Sequence, residues 1–238
     1  MCSGEGAAAS AGAAPAEKCH EACSASAPEG AVAVKAAKDL ASSRGFLAQS
    51  ALAQVEASIA GCHKCPLADT RTNIVFGTGN PCARVVLIGE APGRNEDAGG
   101  EPFVGAAGKR LNALLARAGL AREEVYIANV VKCRPPSNRN PKPGEIEACS
   151  PYLRAQLAAI RPQVLVCLGN FATRFVLHTD KGITDVRGAF TQVGSFLVLP
   201  VFHPAAAIYD RSKQATLEAD FDYLGAWLAA HPASEERA

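Results

Sequence analysis

Four cysteines fall into two groups. Cys62 and Cys65 form a C-x2-C pair inside CHKCP, and Cys133 and Cys149 follow with fifteen residues between them. Clustered thiolates hold metal, and zinc and iron–sulfur centres both accept four of them. The first pair lies in a turn, so buried free cysteine is a poor reading of it. The second pair is too widely spaced for a zinc knuckle. It puts one ligand just after an apolar run and the other in a helical stretch. Spacing alone leaves the choice of metal open. Cys167, inside VLVCLG, reads as core, and Cys82 also fits a buried free thiol.

Three further positions have the chemistry of a site. Glu90 stands in GEAPG, where Pro92 fixes the turn and Gly93 admits a ligand or phosphate close to the backbone. The G-x-G-x-x-G spacing of a dinucleotide loop is absent. Asn129 ends an apolar run, and a buried amide there must find partners. A ligand edge would supply them. His203 precedes proline and three alanines, small residues that leave room beside the ring.

The surrounding chain is that of an α/β protein. It has 238 residues, 48% of them hydrophobic and 20% charged, enough for one domain plus a tail. Net charge is +1, so a nucleic-acid face must be local. No apolar run reaches membrane-spanning length, and no secretory signal pattern opens the chain. A reducing, cytoplasmic (bacterial, nucleoid-associated) setting is therefore expected, where clustered cysteines bind metal. Residues 1–45 are poor in large apolar side chains and read as a disordered tail containing Cys2, Cys19 and Cys23. The folded domain is expected over 46–230, with a short C-terminal tail at 231–238.

Continuous apolar runs at 84–89, 125–131, 164–169 and 196–202 read as strands buried on both faces. Helical stretches are expected at 46–60, 108–118, 145–159, 171–177 and 216–230. The alternation predicts a three-layer α/β/α fold with a central, mostly parallel four-stranded sheet. Sites in such sheets lie at the carboxyl ends of the strands. Glu90, Asn129 and His203 all fall there.

In order along the chain, GEAPG, EPFVGAAG, NVVKCRPPSNRNP and HPAA closely resemble the family 4 uracil-DNA glycosylases. The likeness runs from Cys62 to about Trp227. It implies a uracil-DNA glycosylase-like fold, a [4Fe-4S] cluster on Cys62, Cys65, Cys133 and Cys149, and uracil-containing DNA as the partner. It also implies roles. Glu90 matches the acidic position of the hydrolytic water, Phe103 the ring that stacks on uracil, and Asn129 the amide that reads the base edge. His203 matches the histidine that supports departing uracil. Gly89, Ala91, Gly93 and Glu96 line the base in the same motif. No membrane contact is expected, and the protein is expected to be a monomer.

Such an enzyme takes the base out of the stack into a snug pocket. An asparagine amide pairs with O4 and N3–H of uracil and not with the opposite pattern of cytosine. DNA grip is expected from Lys132, Arg134, Arg139 and Lys142 after Asn129, and from Arg211 and Lys213 after HPAAA. Ile208 or Tyr209 stands where a wedge would enter the duplex. The cluster is expected to staple the loop after Cys133 to the N-terminal segment. The alternatives are an iron–sulfur protein that traps uracil-DNA covalently or binds it without turnover, and a plain zinc protein. The trapping class carries a histidine after its second motif, and none lies between Asn129 and Gly144.

Overall fold

The computed structural model describes residues 29–232, excepting the side chains of 29–42 and of Tyr209. Cys2, Cys19, Cys23 and the last six residues lie outside the described residues. Among the described residues six strands are present: β1 (Thr78–Gly79), β2 (Val85–Gly89), β3 (Tyr126–Asn129), β4 (Val164–Leu168), β5 (Thr191–Val193) and β6 (Phe196–Val201). Eight α-helices accompany them: α1 (Glu29–Ile59), α2 (Arg94–Gly99), α3 (Ala106–Arg117), α4 (Pro143–Ile160), α5 (Gly169–Leu177), α6 (Ile183–Val186), α7 (Ala206–Tyr209) and α8 (Ser212–Ala230).

The sheet order is β1-β3-β2-β4-β6-β5. The four inner strands are parallel, as the apolar runs require. The sheet as a whole is six-stranded rather than four-stranded, because β1 and β5 add antiparallel edges. These edges are two and three residues long and partly exposed, so they carry no apolar run. Helix α1 begins at Glu29, inside the segment whose small residues read as a tail. Alanine explains both observations: it buries little surface, yet it is the best helix former.

Side chains of the inner strands alternate between two cores. Val86, Ile88, Tyr126, Ala128, Leu165 and Cys167 face α1, α4 and α5. Val85, Leu87, Ile127, Val164, Val166 and Leu199 face α3 and α8. Helix spacing matches: Leu111, Leu114 and Leu115 of α3, and Leu217, Phe221, Leu224 and Leu228 of α8, each form one stripe. Burying one such side chain contributes about 1.5–3 kcal/mol. Among the described residues no helix is long and apolar enough to cross a membrane.

Candidate functional site

Strands β2 and β3 end side by side, with Gly89 and Asn129 as register partners. The ladder runs two steps further, Val130 N–H donating to the Gly89 carbonyl (2.9 Å) and Val131 N–H to that of Glu90 (3.1 Å). Asn129 is thereby held 2% exposed. Its Oδ1 is buried with no hydrogen-bond partner among the described residues. Gly89 makes room for it. A Cβ at position 89 would lie 2.3 Å from Asn129 Oδ1 and 2.9 Å from the Phe103 ring.

Phe103 has φ 55, a left-handed conformation that bulky residues rarely adopt. Its ring lies 5.6 Å from that of His203 at 28°, nearly parallel. Its carbonyl packs against α3 where only glycine fits: a Cβ at Gly108 would sit 1.7 Å from it. Glu96 lies in α2, and its Oε1 accepts from Val104 N–H (3.1 Å) and Gly105 N–H (3.0 Å). Arg122 donates to the carbonyls of Pro102 (2.7 Å) and Phe103 (3.4 Å).

His203 follows β6. Its Nδ1 accepts from Ala205 N–H at 3.1 Å, which assigns the ring proton to Nε2. Burial lowers its pKa to about 4, opposed only by the Glu96 charge, so the ring is neutral near pH 7. Burial likewise raises the Glu90 carboxyl above its ordinary range. These groups converge on one cavity of about 340 Å³, lined by Glu90, Ala91, Gly93, Glu96, Phe103, Asn129 and His203. Gly89 stands behind it. Every base-site residue expected from the sequence is therefore in or against this cavity.

The loop after Cys133 supplies a wall of Pro135, Asn138 and Asn140, which the sequence reading missed, and of Arg139, expected there as a DNA contact. Asn138 has φ 52, and its Oδ1 accepts from Arg134 Nε at 2.7 Å. Arg139 forks onto Glu145 at 2.6 and 2.9 Å. Glu145 is 4% exposed and also takes Lys142 N–H, and the Arg139 guanidinium holds its carboxyl below the usual range.

The expected DNA-binding cations are thus sorted. Lys132 is corrected: it is fully buried, and its ammonium is spent on Gln156 Oε1 (2.5 Å). Its pKa falls to about 7 through burial. It sits among the equally buried Val131 and Cys133, in the bend that follows β3. Arg139 is committed to Glu145 and the cavity wall, and Lys213 pairs with Asp210 at 3.1 Å. Arg211, Lys142 and the wedge candidate Ile208 are exposed, the last at 41%.

Cys62, Cys65, Cys133 and Cys149 line one small space, together with Arg71 and Tyr152. Donors converge on the sulfurs. Arg71 Nη1 reaches Cys133 Sγ (3.5 Å), Tyr152 O–H reaches Cys62 Sγ (3.5 Å), and Lys132 N–H reaches Cys149 Sγ (3.2 Å). As a free thiol Cys149 is pushed up to about 11 by burial. Among the described residues no three His, Cys, Asp or Glu side chains are arranged around a single metal ion. Cys167 lies fully buried on β4, as expected of core, while Cys82 is only half-buried.

The family model of the uracil DNA glycosylase superfamily matches residues 76–227. The type-4 uracil-DNA glycosylase of Archaeoglobus fulgidus is 49% identical over 70% of this chain and 88% of its own. That of Thermotoga maritima is 48% identical over 64% of this chain and 81% of its own. A type-5 uracil-DNA glycosylase of Thermus thermophilus is more distant, 35% identical over 60% of this chain and 70% of its own. The chain belongs to the uracil DNA glycosylase superfamily and, within it, to the type-4 group. The superfamily match begins beyond Cys62 and Cys65.

Proposed function

We propose that the protein, acting as a monomer, removes uracil from DNA by hydrolysing the N1–C1′ bond, giving free uracil and an abasic site that initiates base excision repair. The observation that carries this reading is the buried, unpartnered Oδ1 of Asn129, a residue that lines a cavity walled by an aromatic ring. An acceptor left unpaired there costs stability unless a ligand donates to it. N3–H of a flipped uracil is such a donor, and the Asn129 amide group donates in return to O4. Phe103 stacks on the base.

Bond cleavage leaves positive charge on the sugar and negative charge on uracil. His203 is neutral and carries its proton on Nε2, so it meets the developing anion at O2 as a hydrogen-bond donor. One preorganised donor contributes roughly 3–4 kcal/mol to such a step. Glu90, as carboxylate, stabilises the sugar cation and orients the water that adds at C1′.

The four-cysteine corner fits a [4Fe-4S] cluster. Its sulfurs surround a space rather than one ion, and three of them receive N–H or O–H donors that favour thiolates. Bound there, the cluster supplies cross-linking between the Cys62–Cys65 turn, the loop at Cys133 and α4, and no bond-making. The test is excision from uracil-containing DNA by purified brown protein absorbing near 400 nm. Free uracil and an alkali-labile site are expected. A denaturation-stable protein–DNA adduct, or binding without release, overturns the reading.

A further inference from the structure

We infer that Arg122 and Glu96 are positioning residues that clamp Phe103 in the backbone conformation from which its ring meets the base. This rests on the proposed uracil excision. Phe103 is the member of the pocket least stable on its own, with φ 55 in a region that favours glycine. Its ring is buried and stacked on His203, and the backbone turn itself is held by charged neighbours.

They do so from both ends of the turn with opposite charges. On one side the Arg122 guanidinium donates to the carbonyls of Pro102 (2.7 Å) and Phe103 (3.4 Å), and Asn112 Oδ1 steadies it at 3.0 Å. On the other side the Glu96 carboxylate accepts the N–H groups of Val104 and Gly105. A cation on consecutive carbonyls and an anion on the next two amides fix the turn through charge-assisted bonds. Arg122 does not line the cavity, so it touches no base. Its effect passes through Phe103. The Glu96 carboxylate borders the cavity, and its Oε1 is engaged with this backbone, which makes it a support of the ring.

Arg122→Ala, Arg122→Lys and wild type are compared for kcat, KM and inhibition by free uracil on single-stranded uracil DNA. Thermal unfolding is followed for each. A 4-fluorophenylalanine placed at position 103 reports ring order by ¹⁹F NMR. The alanine variant is expected to raise KM and the uracil inhibition constant together by about ten- to a hundredfold, the cost of a misplaced binding group. The pH profile of kcat stays unchanged. Lysine, with one point charge for two carbonyls, restores part of the loss, and added guanidinium restores part of the alanine variant where equal sodium chloride does not. The ¹⁹F resonance of the alanine variant shifts and broadens. An unchanged resonance with unchanged uracil inhibition overturns the clamp, and so does a loss confined to kcat or one that only tracks the unfolding midpoint. A shifted resonance in a protein whose wild type releases no uracil supports the clamp and overturns the excision reading instead.

Discussion

Pocket and cysteine corner stand four residues apart in the chain, Asn129 at the end of β3 and Cys133 in the segment after it, yet they handle buried polar atoms in opposite ways. In the pocket the Asn129 acceptor is left without a partner. In the corner three sulfurs already receive donors from Arg71, Tyr152 and a backbone N–H. An unmet hydrogen bond is a cost unless something arrives to meet it. A satisfied sulfur is tuned to remain where it is. The contrast assigns recognition to the first region and permanence to the second.

The comparison breaks if damage to one region produces the signature of the other. Cys133→Ser carries the largest expected effect. Structural metal centres contribute on the order of 10 kcal/mol to small domains, so this variant should lose the absorbance near 400 nm, thermal stability and DNA binding together. Unchanged folding and activity in colourless protein would reverse the assignment. Asn129→Asp should leave the unfolding midpoint near that of wild type while uracil excision falls about a thousandfold. Some cytosine release should appear, read by product chromatography.

His203→Ala should lower kcat by about 10²–10³. It also sharpens the pH argument. The folded ring titrates at about 4 and the unfolded one at 6.5, so between these values the unfolded chain binds more protons. Stability contributed by this ring is full above pH 6.5 and is lost as pH falls toward 4, and the alanine variant should flatten that slope in urea titrations. The acid limb of kcat/KM then belongs to Glu90, above the ordinary carboxylate range, and should vanish in Glu90→Gln. The smallest effect is expected from Glu145→Gln, which loosens the Arg139 wall. Its carboxyl sits below the usual range, so its stabilisation is present above the unfolded pKa and is lost as pH falls through the folded one. A few-fold rise in KM, with the 400 nm absorbance retained, should accompany it.

The inner sheet was legible because strands buried on both faces have no polar residue to interrupt them. Val85–Gly89 and Val164–Leu168 are examples. The edge strands were not, since two or three half-exposed residues leave no pattern. Of the pocket, residues in local motifs were found and residues that act across the chain were not. Arg122 lies nineteen positions from the Phe103 carbonyl it holds, and no spacing rule connects them. Lys132 shows the converse error. A run of basic residues signals charge but not direction, and Lys132 is buried together with both its neighbours. Its burial against Gln156 depends on α4, which only the folded chain brings near.

The pairing of Gly89 with Asn129 has a consequence for how this site can diversify. The amide proposed to read the base is carried on sheet, and a one-residue slip would turn it to the opposite face. Its depth therefore cannot drift by small loop changes. Only replacing the residue itself alters which base edge is matched. His203 and the 135–140 wall stand on loops, which vary without disturbing the ladder. On the proposed reading, the borders of the pocket and the choice of base edge can thus change separately, one through loops and the other through a fixed rung.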